Sequence, residues 1–256
     1  MLELIFPPAF ILILGAFLIG PIRAPLRPLV VLGAPLLTLY AIWQMGDGIQ
    51  LTAQFLNYEI QLIESSPLRR LFATIFAIMA FVGGLFAFRQ AKWWELAAAQ
   101  AYAAGAIGVS FAGDLITMFL FWELMAIFST VVVWCGGTEG ARKAGIRYAI
   151  MHLVGGVLLK IGIEGVMVHT GSIEIQPIPL TNVDGWLILI GVLINAAAPP
   201  LSAWLADAYP ESSPSGSVFL SAFTTKTAVL ALILLFPGQQ ILIWIGLYMI
   251  FYGIIY

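Results

Sequence analysis

About nine stretches of roughly 20 mostly apolar residues follow one another along the 256-residue chain, and this repetition limits the possible folds more than any motif does. They lie at 2–20, 28–46, 69–89, 93–113, 114–136, 143–169, 184–206, 215–236 and 239–256. Lipid offers no water to unpaired backbone groups, so only helices or closed barrels cross it, and runs this long choose helices. An all-α polytopic membrane protein of about nine transmembrane helices is predicted. Composition agrees. With 61% hydrophobic and 9% charged residues and a mean hydropathy of +1.01, the chain is no water-soluble globule, a class that carries about 25% charged residues. A formal net charge of −2 leaves no basic surface for phosphates, which argues against a nucleic-acid partner. The single cysteine, Cys135, excludes an intrachain disulfide framework and a thiolate metal cluster, and no metal site is expected.

Orientation follows from the basic residues, which accumulate in cytoplasmic loops. Arg23, Arg27, Arg89, Lys92, Arg142, Lys143 and Arg147 fall on one side of the alternating loops, whereas only Arg69 and Arg70 fall on the other. The N-terminus should therefore lie on the non-cytoplasmic side. The first stretch lacks a basic start and a small-residue cleavage site, so it reads as a retained span and not a signal peptide. Partial alternation through Ile49–Ile63, with the turn-capable Asn57 between its halves, predicts a short external hairpin. The polar, proline-interrupted stretch 170–183 is expected to lack regular structure.

Charges inside the apolar stretches carry whatever chemistry the chain performs, because a charge at mid-bilayer costs at least about 2.5 kcal/mol unless a partner or water meets it. Glu123, Lys160, Glu164 and Lys226 are such residues. Glu123, halfway along the fifth stretch, is too deep to reach water by snorkelling, so it is neutral, paired or hydrated. It is either a static, protonated link between helices or a proton-exchanging carboxylate tuned by a nearby cation. Lys226 stands among Thr224, Thr225 and Thr227, hydroxyls suited to solvate an ammonium or a water, and is either a relay lysine or one pinned by a carbonyl or carboxylate. Lys160 and Glu164, four residues apart, share a helix face and suit either an intrahelical pair or a wet path. His152 lies on a ridge with Gly156 and Lys160 that drifts about 40° per four-residue step, and is either a packing residue or part of that path. In the seventh stretch, Asn195-Ala196-Ala197-Ala198-Pro199-Pro200 must break its helix, since proline removes a donor and clashes with the preceding turn. A discontinuous helix near Pro199-Pro200 is predicted, of the kind that marks ion sites in transporters.

The run Pro200-Leu-Ser-Ala-Trp-Leu-Ala-Asp-Ala-Tyr209, the Ser213-Pro-Ser-Gly-Ser-Val218 turn and Lys226 beyond it resemble the proton-conducting, antiporter-like membrane subunits. These include the D-type member of Mrp-type Na+/H+ antiporters and its relatives in complex I and membrane-bound hydrogenases. Phe121-Trp-Glu-Leu-Met125 resembles that family's fifth-helix motif and places Glu123 at its functional glutamate. The resemblance implies proton translocation along a central chain of ionisable residues, Glu123, Lys226, Lys160, His152, Asn195 and Glu164 here, with no cofactor in the protein itself. It implies a place in the bacterial inner membrane beside other membrane subunits, moving H+ alone or together with Na+ or K+. The chain resembles the first inverted repeat: helices 1–3 with an external loop in 1–92, a bundle of helices 4–8 in 93–238, and the start of a ninth helix, read as truncated, in 239–256. Three departures stand out. Asn195 takes the place of a seventh-helix lysine, Ser202 that of a histidine, and the second repeat of the family's roughly fourteen spans is missing. From the first departure, Lys160 is expected to replace the lost lysine as the charge partner of Glu123. The competing expectation is a transport-inactive paralogue that serves as a membrane scaffold. No dinucleotide fingerprint, nucleophile elbow or zinc spacing marks a self-contained catalytic site, although the chain suits one component of an ion-translocating oxidoreductase or antiporter.

Overall fold

The structure is a computed structural model that describes residues 6–56 and 58–255. Helix α1 (Pro8–Ile19) leads through a short 3-10 turn (Ala24–Leu26) into α2 (Arg27–Gln44). A hairpin follows, β1 (Gly48–Phe55) and β2 (Tyr58–Ser65), and then α3 (Pro67–Ala87), α4 (Trp93–Phe111), α5 (Leu115–Trp134) and α6 (Glu139–Thr170). The remainder is α7 (Val183–Asn195), α8 (Ala203–Glu211), α9 (Pro214–Ala222), α10 (Thr224–Leu235) and α11 (Gln240–Ile255). Among the described residues, five stretches are long and apolar enough to cross a membrane: Ala24–Gln44, Pro67–Ala87, Leu115–Trp134, Glu139–Thr170 and Pro214–Leu235. Three shorter helices, α1, α7 and α11, are apolar as well. The expected first span begins at residue 2, and its first four positions lie outside the described residues.

The bundle is built around α4, because that helix is rich in alanine and glycine and therefore thin. It is buried from Glu95 to Phe111 except at Ala97, and packs against α1, α3 and α5. Gly105 is one reason α5 comes so close: a Cβ there would lie 2.8 Å from the Cβ of Met125. Capping residues set where the helices begin. Ser66, Asp114, Thr138 and Ser213 each accept a hydrogen bond from a backbone N–H three residues on.

One end of the bundle is closed by the hairpin. The strands pair antiparallel from Gly48↔Ser65 to Phe55↔Tyr58, as the alternation predicted; Asn57 itself lies outside the described residues. The Gly113 N–H donates to the Gln61 carbonyl at 2.9 Å, and the Leu115 N–H to Ile173 at 2.8 Å, which ties β2, the start of α5 and the 171–182 segment together. That segment carries only an isolated bridge between Glu174 and Asp114, in line with the sequence. The two strands modify the all-α expectation, and Ile63 of β2 packs into the buried core beside the helices. At the opposite end Arg147 pairs with Asp207 at 2.6 Å, and Ser215 donates to the buried Glu95 carboxylate at 2.5 Å. The helix α6, about 48 Å long at 1.5 Å per residue, overhangs a hydrocarbon core of about 30 Å. Its first turns carry Arg142 and Lys143 exposed beside Glu139.

Between Asn195 and Ala203 the chain leaves helical geometry. The Ala198 N–H reaches back to the Leu193 carbonyl at 3.0 Å while Ala197 takes φ +58°, the left-handed position that closes a helix. Pro199 explains why the turn comes here, since a residue before proline is pushed out of the α region. Trp204 donates its Nε1–H at 2.9 Å to the Ile194 carbonyl, which also accepts the Ala197 N–H at 3.1 Å, and so ties α8 to the end of α7.

Candidate functional site

Glu123 sits on the side of α5 that meets α6, between the buried Trp122 and the exposed Ile127. Its carboxylate lies against Gly156 of α6, where any side chain would collide with Oε1. That glycine makes the site: a bare stretch of α6 leaves room for a carboxylate between two helices. Glu123 Oε1 is buried without a hydrogen-bond partner. A groove of about 210 Å³ opens beside it, lined by Glu123, Ala126, Thr130, Ala149 and His152, with the exposed Ile127 and Leu153 at its rim.

His152 is 2% exposed, and neither ring nitrogen is in hydrogen-bonding geometry. Its imidazole packs on Tyr148 with ring centroids 4.1 Å apart and on Trp204 at 4.8 Å. Across the α6–α7 interface the Asn195 amide faces the imidazole, close enough to interact but outside hydrogen-bonding geometry. Asn195 is itself fully buried on the last turn of α7. Beyond Tyr148, a cluster of hydroxyls gathers from three more helices. Ser129, Tyr102 and Thr224 lie near the Tyr148 phenol, whose hydroxyl is buried with no partner in hydrogen-bonding geometry. Tyr102 Oη and Thr224 Oγ1 share a hydrogen bond of 2.5 Å, and the Thr224 N–H donates to Tyr102 Oη at 3.0 Å. Polar groups thus run from the α5 carboxylate through α6 to the first residue of α10.

Three of the six expected residues, Glu123, His152 and Asn195, come together, and three do not. Lys160 pairs with Glu164 on its own helix, and both side chains are more than half exposed on the outer face. The expected charge pair with Glu123 is therefore corrected. Two four-residue steps turn a residue about 80° from the His152 direction, and that rotation carries Lys160 out of the interface. Lys226 also points outward. Its ammonium donates to the Ser221 carbonyl at 2.6 Å instead of to the neighbouring threonine hydroxyls, and Thr227 Oγ1 is buried without a partner.

Tyr102, Ser129 and Tyr148 escape notice in the sequence, where they look like ordinary interior polar residues until the fold brings them together. The available signal was Tyr148 standing one turn before His152 on the same face. Other buried polar groups are structural. Asp114 accepts from the Thr117 N–H at 2.7 Å, the Thr117 hydroxyl at 2.7 Å and the Gln61 N–H at 2.6 Å, which leaves it nothing further to bind. The buried Arg69 holds the Ala112 carbonyl at 2.5 Å and Glu64 at 2.7 Å. Among the described residues no group of three or more His, Cys, Asp or Glu side chains converges to hold a metal ion.

An apolar helix bundle with ionisable groups and hydroxyls along its interior defines the class: an integral membrane protein. Similarity to known proteins narrows this further. The family described as NADH:quinone oxidoreductase/Mrp antiporter, TM, matches residues 112–256, more than half of the chain, and the chain belongs to that family. The D-type component of the Na(+)/H(+) antiporter of Bacillus subtilis is 25% identical over 203 residues, which cover 70% of this chain and 41% of that protein. The M-type component of the NADH-quinone oxidoreductase of Pseudomonas aeruginosa is 29% identical over 177 residues, covering 58% and 35%. A chain in the structure of the Mrp complex from Dietzia sp. DQ12-45-1b superposes with a TM-score of 0.70 over 94% of this chain and 47% of its own length. At 22% identity that likeness speaks for the fold alone. The chain spans less than half the length of each of these proteins.

Proposed function

We propose that the chain conducts protons across the membrane as one part of a larger antiporter-type assembly, with Glu123 as its proton-exchanging carboxylate. The supporting observation is the groove between α5 and α6, where Glu123 and His152 hold buried polar atoms without partners in an otherwise apolar interface. Buried polar groups ordinarily find a partner, and those left open at a groove are suited to water and to proton exchange. In this reading the chain forms nine spans: α1 to α6, then α7 with α8 as the two halves of one discontinuous helix, α9 with α10, and α11. It is organised as helices 1–3 in 1–92, a transporting bundle in 93–238 and a further helix in 239–256. The overhang at Arg142 and Lys143 faces the cytoplasm, and the N-terminus and the hairpin face the other side of the bacterial inner membrane. Other membrane subunits cover the exposed α10 face at Lys226, and H+ is exchanged for Na+ or K+.

Two observations favour a second reading, a transport-inactive scaffold: Lys160 is already paired with Glu164, and Lys226 is already held by the Ser221 carbonyl. Proton flux in proteoliposomes that contain the intact assembly separates the two. Loss of flux in Glu123→Gln, with the protein still incorporated, is the expected result. Wild-type flux in that variant would leave only the scaffold.

A further inference from the structure

The structure points to a middle station on this route that the charged residues alone do not supply. On one side, His152 lines the Glu123 groove. On the other, it packs against Tyr148, whose phenol is surrounded by Ser129, Tyr102 and Thr224. The groups against the imidazole are Tyr148 of α6, Asn195 of α7 and Trp204 of α8, and Glu123 of α5 lines the same groove. Of these only Glu123 carries an ionisable group of the right kind to exchange a proton with imidazole at ordinary pH. Asn195 is neutral; it can orient the ring but hold no proton charge. Trp204 is fixed by its own bond to the Ile194 carbonyl and limits how the ring can turn.

We propose that His152 is the proton carrier between Glu123 and the hydroxyl cluster, and that Tyr148, Tyr102 and Thr224 pass the proton on to α10. This rests on the proton-conducting reading above and gives it an internal route. The imidazole takes a proton at one nitrogen from the Glu123 side, breaking an O–H bond and forming an N–H bond. It releases the proton on its other nitrogen toward the hydroxyls, each hydroxyl accepts one proton as it gives up another, the last of them, Thr224, releases its proton to a water at α10, and water in the groove reprotonates Glu123, so no charge remains behind. The groove supplies water for the first step, since about 210 Å³ holds several molecules at about 30 Å³ each. Lys160 and Glu164 have no part in the route. The route ends two residues before Lys226, on the same helix.

The test compares proton flux in the intact assembly for Glu123→Gln, His152→Gln, Tyr148→Phe and the double variant His152→Gln, Asn195→Lys. In the expected result, flux falls about tenfold or more in His152→Gln, the size of a lost general acid–base group. It falls by a smaller factor in Tyr148→Phe and recovers in part when a lysine at 195 restores a protonatable group facing the same space. Recovery by that distant substitution separates proton carriage from packing. If Glu123→Gln abolishes flux while His152→Gln preserves it, this proposal is overturned and the proton-conducting reading stands. If Glu123→Gln preserves flux, both fall. Should His152 variants fail to assemble, nitrogen-15 spectra of the wild-type chain in lipid vesicles decide, because it contains only two histidines, His152 and His169. A His152 ring that exchanges between neutral and protonated forms over the active pH range supports the carrier, and a ring that stays neutral throughout contradicts it.

Discussion

A single glycine determines whether Glu123 has a place to be. Its carboxylate occupies the space that a side chain at 156 would fill, and it is the flexible end of a long residue. In Gly156→Ala the carboxylate therefore swings away while the helices keep their spacing. Flux in the assembly should drop about tenfold or more, as misplacing a reacting group by about 1 Å can cost far more, and the melting temperature should hardly move. A large loss of stability with unchanged specific flux would contradict this placement. Lys160→Gln is the counterpart. Because Lys160 lies on the outer face and meets only Glu164, transport should remain at the wild-type level. Loss of flux would return Lys160 to the route. At this scale the sequence exposes chemistry but not neighbours. Glu123 and His152 stand out as polar residues in apolar stretches, whereas the failure of the Glu123–Lys160 pair depends on which face of α6 meets α5, the one at Gly156, from which the helical spacing turns Lys160 away. The hydroxyls of Tyr102 and Thr224, 122 positions apart, become one site only through the packing of α4 against α10.

Elements were legible where a local rule governs them. The hairpin follows from alternation and the end of α7 from Pro199 and Pro200, whereas the caps Ser66, Asp114 and Thr138 that start α3, α5 and α6 show only in the structure. What the chain does not announce is how an element end is shared. Asp114 caps α5 and at the same time holds the Gln61 N–H of β2, so it joins the hairpin to the bundle. Asp114→Ala should lower the stability of the chain by about 2 kcal/mol, a lost cap together with a charge-assisted bond, and should loosen the hairpin. Thermal unfolding in detergent and amide exchange through 58–65 check this. An unchanged melting temperature and unchanged exchange would show that the hairpin docks without it. The break at Phe223 between α9 and α10 had no such signal, since nothing in Ser221-Ala-Phe-Thr224 resembles a turn. Phe223 is held there by tertiary packing, at 5.0 Å from Tyr102 and 5.9 Å from Phe76 between ring centroids.

In the proposed reading the whole molecule is one side of an interior route with an outer face left for neighbours. No described residue of α11 is buried, and Lys226 is exposed on α10. Such apolar faces are ordinary toward lipid, but a lysine on one asks for a partner or for water. Membership of the antiporter-like family and the helical bundle were both within reach of the sequence, through Phe121–Met125 and Pro200–Val218. The route itself was not, because it is a property of five helices taken together. All of it depends on Glu123 loading and unloading a proton. Infrared difference spectra of the chain in lipid, taken as pH is stepped across the working range, read this through the stretch of a protonated carboxylic acid. The expected result is a carboxyl band that changes with pH in the wild type and is missing from Glu123→Gln. Identical difference spectra for the two proteins would show that Glu123 does not exchange a proton.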